Sequence, residues 1–311
     1  MIYRPLGNTG IQVSEIGVGC GGLGAGRKVG LEPALEHALD RGVNFFDTAI
    51  SYAEGASEQV LGRVLAGRRE KVVLATKFGT VIRPDGTACK DFSVETLRAS
   101  LPVSLKRLGT DYVDLYQLHN PPPAVLDDRR LFDELDALVS RGTIRAYGLS
   151  IDDCATACRF LDATRGRAVQ ININLFKQKE RPFFAEAAGR SAGVVVKVPL
   201  AGGALAGRFS RDYPPPGEER RSRWGEADFA RRLELIEKVR PVLEKPGRTV
   251  AQGALAWLLS FDAVSTVIPG ISSLEKMQEA VDAAGMRLTP DELRTLDEMG
   301  GGEIRGLNLS W

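Results

Sequence analysis

Histidine is scarce in this sequence, with two in 311 residues, and neither charge sign dominates, with 41 basic side chains against 40 acidic ones. A balance that close leaves no net field to attract a nucleic acid or an anionic membrane, so neither is expected as a partner. No run of 18 apolar residues occurs, so no segment reads as a membrane-spanning helix. The opening string MIYRPLGNTGIQVSEIG lacks the charged-then-apolar layout of a secretory signal, and the chain reads as a soluble cytoplasmic protein. Its four cysteines, Cys20, Cys89, Cys154 and Cys158, are scattered. Cys154 and Cys158 stand one helical turn apart, but a zinc site needs further ligands, and His37 and His119 are distant in sequence. Reduced thiols on or near a helix are the expectation, with no metal.

Apolar material is plentiful, at 43% of the chain, enough for a large core in one barrel or two ordinary domains. Short β-branched or apolar runs recur at residues 15–19, 44–49, 72–78, 113–119, 146–150, 168–174, 194–200 and 264–270. Stretches of helical period separate them, among them VETLRASLPVSLKRLG, RRLFDELDALVSRG and ARRLELIEKVRPVLEK. The proline within the first and third of these is expected to kink or end its helix. Eight strands alternating with helices at a spacing of about 30 residues are the signature of repeated βα units. Count and length suit a single (β/α)8 TIM barrel domain over residues 1–311, since such barrels take about 250 residues plus additions. The alternative is an open doubly wound sheet. Its Gly-rich phosphate turn is sketched by the string G-x-G-x-x-G within residues 17–26, yet no helix is expected to open directly after it. At the front, YRPLGNTGIQVS carries a turn signal between two strand-like pieces and reads as a hairpin capping the barrel bottom.

In such a barrel the chemistry sits where strands end and loops begin. The polar residues there are Cys20, Asp47, Lys77, His119, Ser150, Asn174 with Gln170 inside its strand, Lys197, and the turn PGISS. Burying an acid or a lysine is costly unless the two are paired, so an Asp47–Lys77 salt bridge is the purely structural reading. That reading leaves Tyr52, five positions after Asp47, and His119 unexplained. An ammonium beside a phenol stabilises the phenolate and so turns the tyrosine into a proton donor for a developing alkoxide.

This set resembles the tetrad of the aldo-keto reductase family. The strings DTAISYAEGASEQVLGRVL, ATKFG, LYQLHNP and YRPLGNTGIQVSEIGVG are all similar to family segments, and the likeness runs from residue 3 to about 280. It implies an NAD(P)H-dependent oxidoreductase interconverting an aldehyde or ketone and an alcohol. In that role Tyr52 is the general acid/base, Lys77 tunes it, Asp47 orients Lys77, and His119 positions the carbonyl oxygen. The same resemblance places Cys20, Gly21 and Asp47 beside the cofactor and gives its carboxamide to Ser150 and Gln170, with Ile151 where the family has an asparagine. Asn174 matches the family's Q-x-x-x-N-L. A phosphate cradle is implied over residues 197–209, with Pro199, Leu200, Gly202, Gly203 and Arg208 in contact. Lys197 and Val198 stand where the family commonly has Tyr-Ser, so the ring that often stacks on the nicotinamide is missing. Gly270, Ser272 and Lys276 fall where the adenosine 2′-phosphate is received at a helix start, and Glu279 where the adenine amino group is held. Lys276 replaces an arginine or glutamine, and a lysine has no fork. NADPH is therefore expected, with NADH as the alternative.

The loops over residues 79–93 and 213–229 are long and polar, and the second reads either as a flap over the cofactor or as a surface excursion. The tail, residues 300–311, brings Leu307, Leu309 and Trp311 either to the pocket side or under the barrel rim, while Trp257 reads as core. Two other function classes share these residues. A Schiff-base aldolase or isomerase would use Lys77 as nucleophile, and a redox sensor would hold NADPH without turnover. The sequence does not specify the carbonyl substrate, the direction or the oligomeric state.

Overall fold

The computed structural model describes residues 1–83, 85–207 and 226–300, without the side chains of Arg27 and of residues 226–229. An N-terminal hairpin of β1 (Tyr3–Pro5) and β2 (Gln12–Ser14) comes first, paired antiparallel. Gly7 in its turn has a φ of +55°, and a Cβ there would lie 2.3 Å from the backbone nitrogen of Gly193, so both conformation and space require glycine. The barrel then begins with β3 (Val18–Gly19), β4 (Phe45–Asp47) and β5 (Val73–Phe78). A small side hairpin follows, of β6 (Thr80–Ile82) and β7 (Ala88–Lys90). The ring continues through β8 (Val113–His119), β9 (Ile144–Ile151), β10 (Ala168–Asn172), β11 (Gly193–Lys197) and β12 (Val264–Ile268). These eight strands are parallel, in the order β3-β4-β5-β8-β9-β10-β11-β12. Parallel bridges Ile16–Val267 and Gly19–Gly270 join the two edges, so the barrel closes and the open-sheet alternative is excluded. After the glycine-rich string comes only a one-turn helix at Gly26–Lys28, and α1 (Glu32–Asp40) starts later still.

The other principal helices are α2 (Ala56–Val64), α3 (Val94–Leu108), α4 (Arg129–Ser140), α5 (Cys154–Ala163), α6 (Phe183–Gly189), α7 (Glu226–Leu243), α8 (Val250–Leu259), α9 (Leu274–Val281) and α10 (Pro290–Met299). Helix α4 shows why such segments fold this way. Asp128 caps it by accepting from Leu131, and Leu131, Phe132, Leu135 and Leu138 recur at helical spacing to form its buried face. The prolines end neither helix, because α3 continues through Pro102 and α7 through Pro241. Both prolines are exposed, so the carbonyl each leaves without an N–H partner faces water rather than core. Trp257 is fully buried in α8, as expected of a core residue. Cys154 and Cys158 are free thiols on α5, 4.0 Å apart at sulfur. Arg208, residues 213–225 of the expected flap, and tail residues Leu307, Leu309 and Trp311 lie outside the described residues; Glu226 already belongs to α7.

The interior of the barrel is layered. At its bottom Leu6, Ile11 and Val13 of the hairpin pack against Phe45, Val73, Ala75, Leu115, Ala168, Val195 and Ile268. Alternate strand residues point inward, so the same period of two carries the chain upward from apolar to polar. It leads from Phe45 to Asp47, from Ala75 to Lys77, from Leu115 to Gln117 and His119, from Ala168 to Gln170, and from Val195 to Lys197. Intervening residues such as Phe46, Leu74, Tyr116 and Val196 face the helices in a separate cluster. Burying one such phenylalanine contributes about 2 kcal/mol.

Candidate active site

Asp47 and Lys77 meet inside the barrel at 2.5 Å, with Lys77 fully buried. The ammonium also donates to the Thr48 carbonyl at 2.7 Å and to the Tyr52 hydroxyl at 3.5 Å. Burial alone pushes the Lys77 ammonium toward deprotonation, but the Asp47 charge, then Tyr52 and their hydrogen bonds outweigh it and raise its pKa above the ordinary lysine value. The second Asp47 oxygen accepts from Gln117 at 3.0 Å and from Gln170 at 2.8 Å. This carboxylate therefore has three charged or amide donors and no freedom to turn.

The loop carrying Tyr52 is held by the rest of its motif. Thr48 and Ser57 hydroxyls share a hydrogen bond of 2.8 Å, and Ser57 donates to the Cys20 carbonyl at 2.8 Å. Buried Glu58 accepts from Thr76 at 2.8 Å and faces Arg107 at 3.3 Å, while Arg107 also donates to the carbonyls of Ile50 and Glu54. Ala53 and Glu54 lie in the left-handed region at φ 49° and 55°, and Asn120, Val198 and Ala201 adopt it at 52°, 54° and 50°. Each such residue costs about 1–3 kcal/mol, and strain of this kind collects at functional sites. These five follow the C-terminal ends of barrel strands, whereas a sixth, Ser191 at 52°, precedes β11.

His119 ends β8, with its ring edge-on to that of Tyr52 at a centroid distance of 5.6 Å. Burial first, then the ammonium groups of Lys77, Lys90 and Lys197, hold its pKa down to about 2, so the imidazole is neutral at working pH. A neutral ring keeps one N–H to donate. The linkage has a definite sign. Above about pH 6.5 neither the folded nor the unfolded state is protonated at this residue; below it only the unfolded chain gains the proton. His119 thus takes away about 1.4 kcal/mol of stability per pH unit as the pH falls below 6.5. Denaturant unfolding of wild type and His119→Gln at pH 7 and pH 5 is expected to show a shallower acid loss in the variant. Equal losses would contradict a neutral buried His119.

Beyond His119 the mouth holds polar groups that the sequence reading did not join. Lys197 reaches Asp152 at 3.0 Å, the Ser150 hydroxyl at 3.2 Å and the Asn120 side chain at 3.5 Å. Ser150 donates to Gln170 at 3.1 Å. A hydrogen-bonded chain therefore runs from Asp152 through Lys197, Ser150, Gln170, Asp47 and Lys77 to Tyr52. Burial, opposed by Asp152, lowers the pKa of Lys197, and Lys197 and Lys177 outweigh the burial of Asp152 to hold its carboxyl below the usual range. Gln117 was missed although its place two residues before His119 marks it as inward-facing. Asp152, Lys90 and Arg107 gave no such signal, because tertiary packing alone brings them here.

The residues expected to hold a cofactor flank this mouth. Cys20 is buried, its N–H donating to the Asp47 carbonyl at 2.8 Å, and Gly21 lies next to the Tyr52 ring. After β11 the chain turns tightly through residues 198–207, with Gly202 and Gly203 at φ 64° and 95°. Asn174 holds that turn by donating to the Val198 carbonyl at 3.2 Å. Opposite stands the start of α9, where Ser273 caps by accepting from Lys276. A Cβ placed on Gly207 or Gly270 would meet nothing within 4 Å, so the backbone there is open to a close approach. Lys276 joins helix to cradle, donating to the Ala206 carbonyl at 3.2 Å and pairing with Glu279 at 2.5 Å. The sequence had assigned Lys276 and Glu279 to separate ends of a ligand; here they contact each other, with Thr249 donating to Glu279 at 2.8 Å. Ser150 and Gln170, expected on a carboxamide, are bonded to each other, Gln170 also to Asp47 and Ser150 also to Lys197. Glycine backbone, a helix start and a lysine joining the two fit an anionic dinucleotide.

A closed eight-stranded barrel with paired acid and lysine, tyrosine and histidine at its mouth, and a glycine cradle beside them, is the layout of an oxidoreductase built around a nicotinamide dinucleotide. Residues 15–300 match the Aldo/keto reductase family. The chain is similar to the NADH-specific methylglyoxal reductase of Escherichia coli, 29% identical over 318 residues that cover 95% of this chain and 97% of that one. It is also similar to the NADP(+) aldo-keto reductase yakc of Schizosaccharomyces pombe, at 31% identity over 95% of this chain and 90% of that one. Among solved structures, the holo form of the aldo-keto reductase AKR11C1 from Bacillus halodurans superposes with a TM-score of 0.82, 30% identity and 96% coverage of both chains. The glycerol dehydrogenase AKR11B4 from Gluconobacter oxydans gives a TM-score of 0.86 at 25% identity, covering 99% of this chain and 98% of that one. The chain belongs to the aldo/keto reductase family of NAD(P)H-dependent oxidoreductases. Among the described residues no helix is long and apolar enough to cross a membrane.

Proposed function

We propose that residues 1–311 form one barrel domain that works in the cytoplasm, interconverting an aldehyde or ketone and an alcohol, with Tyr52 as the general acid/base and NADPH as the preferred cofactor. The observation that carries this reading is the Tyr52 hydroxyl set 3.5 Å from an ammonium that Asp47 locks at 2.5 Å. When bound, the dinucleotide supplies the hydride. Lys77 spends two of its N–H groups on Asp47 and Thr48, which leaves the third for Tyr52. As charge develops on the carbonyl oxygen, Tyr52 gives up its proton and the ammonium stabilises the phenolate left behind. Neutral His119, fixed edge-on to Tyr52, donates its N–H to the same oxygen. The cofactor would be held by the cradle with Pro199, Leu200, Gly202, Gly203 and Arg208, by Cys20 and Gly21, and by Gly270, Ser272, Lys276 and Glu279, with Ser150 and Gln170 on the nicotinamide side.

NADPH oxidation against a panel of aldehydes and ketones tests the reaction. Tight NADPH binding with no turnover of any of them would overturn it in favour of a redox sensor. The names of the two curated relatives carry opposite cofactors, one NADH and one NADP(+), so the preference must come from this chain's own residues. Lys276 is the cation at the α9 start, but it already shares its charge with Glu279. Lys276→Ala is expected to weaken NADPH about tenfold, roughly 1.4 kcal/mol, and to leave NADH nearly unchanged. Tryptophan fluorescence titrations decide this, and equal weakening of both cofactors would remove Lys276 from the 2′-phosphate.

A further inference from the structure

Around His119 the ammonium groups outnumber the carboxylates available to them. Asp47 is taken by Lys77. Asp152 is shared by two cations, Lys197 at 3.0 Å and Lys177 at 3.6 Å. Lys90, at the end of β7, bonds the His119 carbonyl at 2.7 Å and the Thr80 hydroxyl at 2.8 Å, both neutral acceptors, and retains one N–H. The carboxylates nearest to it in sequence are committed elsewhere. Asp85 is bonded by the amide and hydroxyl of Thr87, and Asp91 by the Ser93 amide and the Thr96 hydroxyl. Among the described residues no carboxylate forms an ion pair with Lys90. Among the described residues Lys28, in the one-turn helix after β3, likewise pairs with no carboxylate and bonds the Gly21 carbonyl.

We propose that Lys90, bonded to the end of β8, together with Lys197, which reaches the next residue Asn120, forms an anion subsite that selects carbonyl substrates bearing a carboxylate or a phosphate. The proposal rests on the reductase reading above and names the substrate class for that site. Partial desolvation, then repulsion from Lys197, lowers the pKa of the still solvent-exposed Lys90, and a bound anion relieves that repulsion. The cofactor phosphates do not supply the anion at Lys90, although Lys197 ends β11 at the edge of their cradle. Lys90 hangs from the segment after β5 and bonds the end of β8, while the phosphate cradle follows β11, with β9 and β10 between them in the ring. Two cations near the end of β8 also steer a charged substrate toward the mouth, in a manner that salt weakens.

The test compares kcat/KM at saturating NADPH within two pairs of aldehydes: 4-carboxybenzaldehyde against methyl 4-formylbenzoate, and glycolaldehyde phosphate against glycolaldehyde. The charged member of at least one pair is expected to lead by about tenfold, an advantage that shrinks with added salt. The pair that shows it separates carboxylate from phosphate recognition. Lys90→Met is expected to abolish most of that preference, and Lys90→Arg to keep it. Lys90 is exposed on a side hairpin, and thermal unfolding of the variants checks that the barrel is intact. Equal or lower kcat/KM for the charged member of both pairs overturns the proposal. So does a preference unchanged in Lys90→Met, or a matching loss of NADPH affinity, which would place the cofactor at Lys90. Turnover of none of the four aldehydes would sink the reductase reading as well, an outcome distinct from turnover without charge selection.

Discussion

Tyr52→Phe is expected to lower carbonyl reduction by about 10²–10⁴-fold while leaving NADPH affinity within a factor of about two. The phenol oxygen is the atom that Lys77 addresses, and the substitution deletes it while keeping the ring against His119. The packing of the loop does not depend on that oxygen, because Thr48, Ser57, Glu58 and Arg107 hold the loop from other directions. Binding should therefore survive while turnover does not. Stopped-flow measurement of the hydride step, beside a fluorescence titration of NADPH, separates the two. A variant that reduces aldehydes within tenfold of wild type would remove Tyr52 as the proton donor.

Asp47→Asn acts one residue further back. Lys77 has no solvent exposure and a single carboxylate, so the substitution leaves a buried ammonium without its countercharge. Removing one member of a buried pair costs about 3–5 kcal/mol, and the asparagine oxygen, still an acceptor, should bring this toward the lower figure. Part of the response is loss of the Lys77 proton, after which nothing positive remains to stabilise the phenolate. Turnover should fall about 100-fold, with NADPH affinity changed far less, and the pH profile of alcohol oxidation should move upward. An Asn variant whose pH–rate profile overlays that of wild type at equal maximal rate would make Asp47 a structural anchor only.

Much of this site was legible because barrel chemistry sits at strand ends and ionisable groups stand out within apolar runs. Val113–His119 matches its sequence run at both ends, and Asp47, Tyr52, Lys77 and His119, picked out from the sequence, come together at one mouth. The first barrel strand is shorter than its sequence run, since only Val18–Gly19 is strand and the pairing at residue 16 is a lone bridge. What remained hidden depends on distance in space rather than position along the chain. The Asp152–Lys197 pair joins the ends of β9 and β11, and Lys90 approaches His119 only because the side hairpin folds back over β8. Lys276 and Glu279 illustrate a different limit. Their spacing of three is the ordinary spacing of an ion pair on a helix, and the resemblance to a ligand site drew attention away from that simpler contact.

The inward ladder of the strands makes the barrel check its own assembly. Phe45 and Asp47, Ala75 and Lys77, and Leu115 and Gln117 share one parity, so whatever seats the hairpin plug also seats the Asp47–Lys77 pair and the amide that holds it. A slip of one residue in any of these strands would exchange the parities, carrying Asp47, Lys77 or Gln117 out toward the helices and Phe46, Leu74 or Tyr116 into the plug. Such an assembly would forfeit apolar burial and leave ions without partners in the same event. A misassembled copy is thus unstable as well as inactive, and this chain is expected to fold to a working enzyme or to fail to persist, with no durable, inactive counterfeit between.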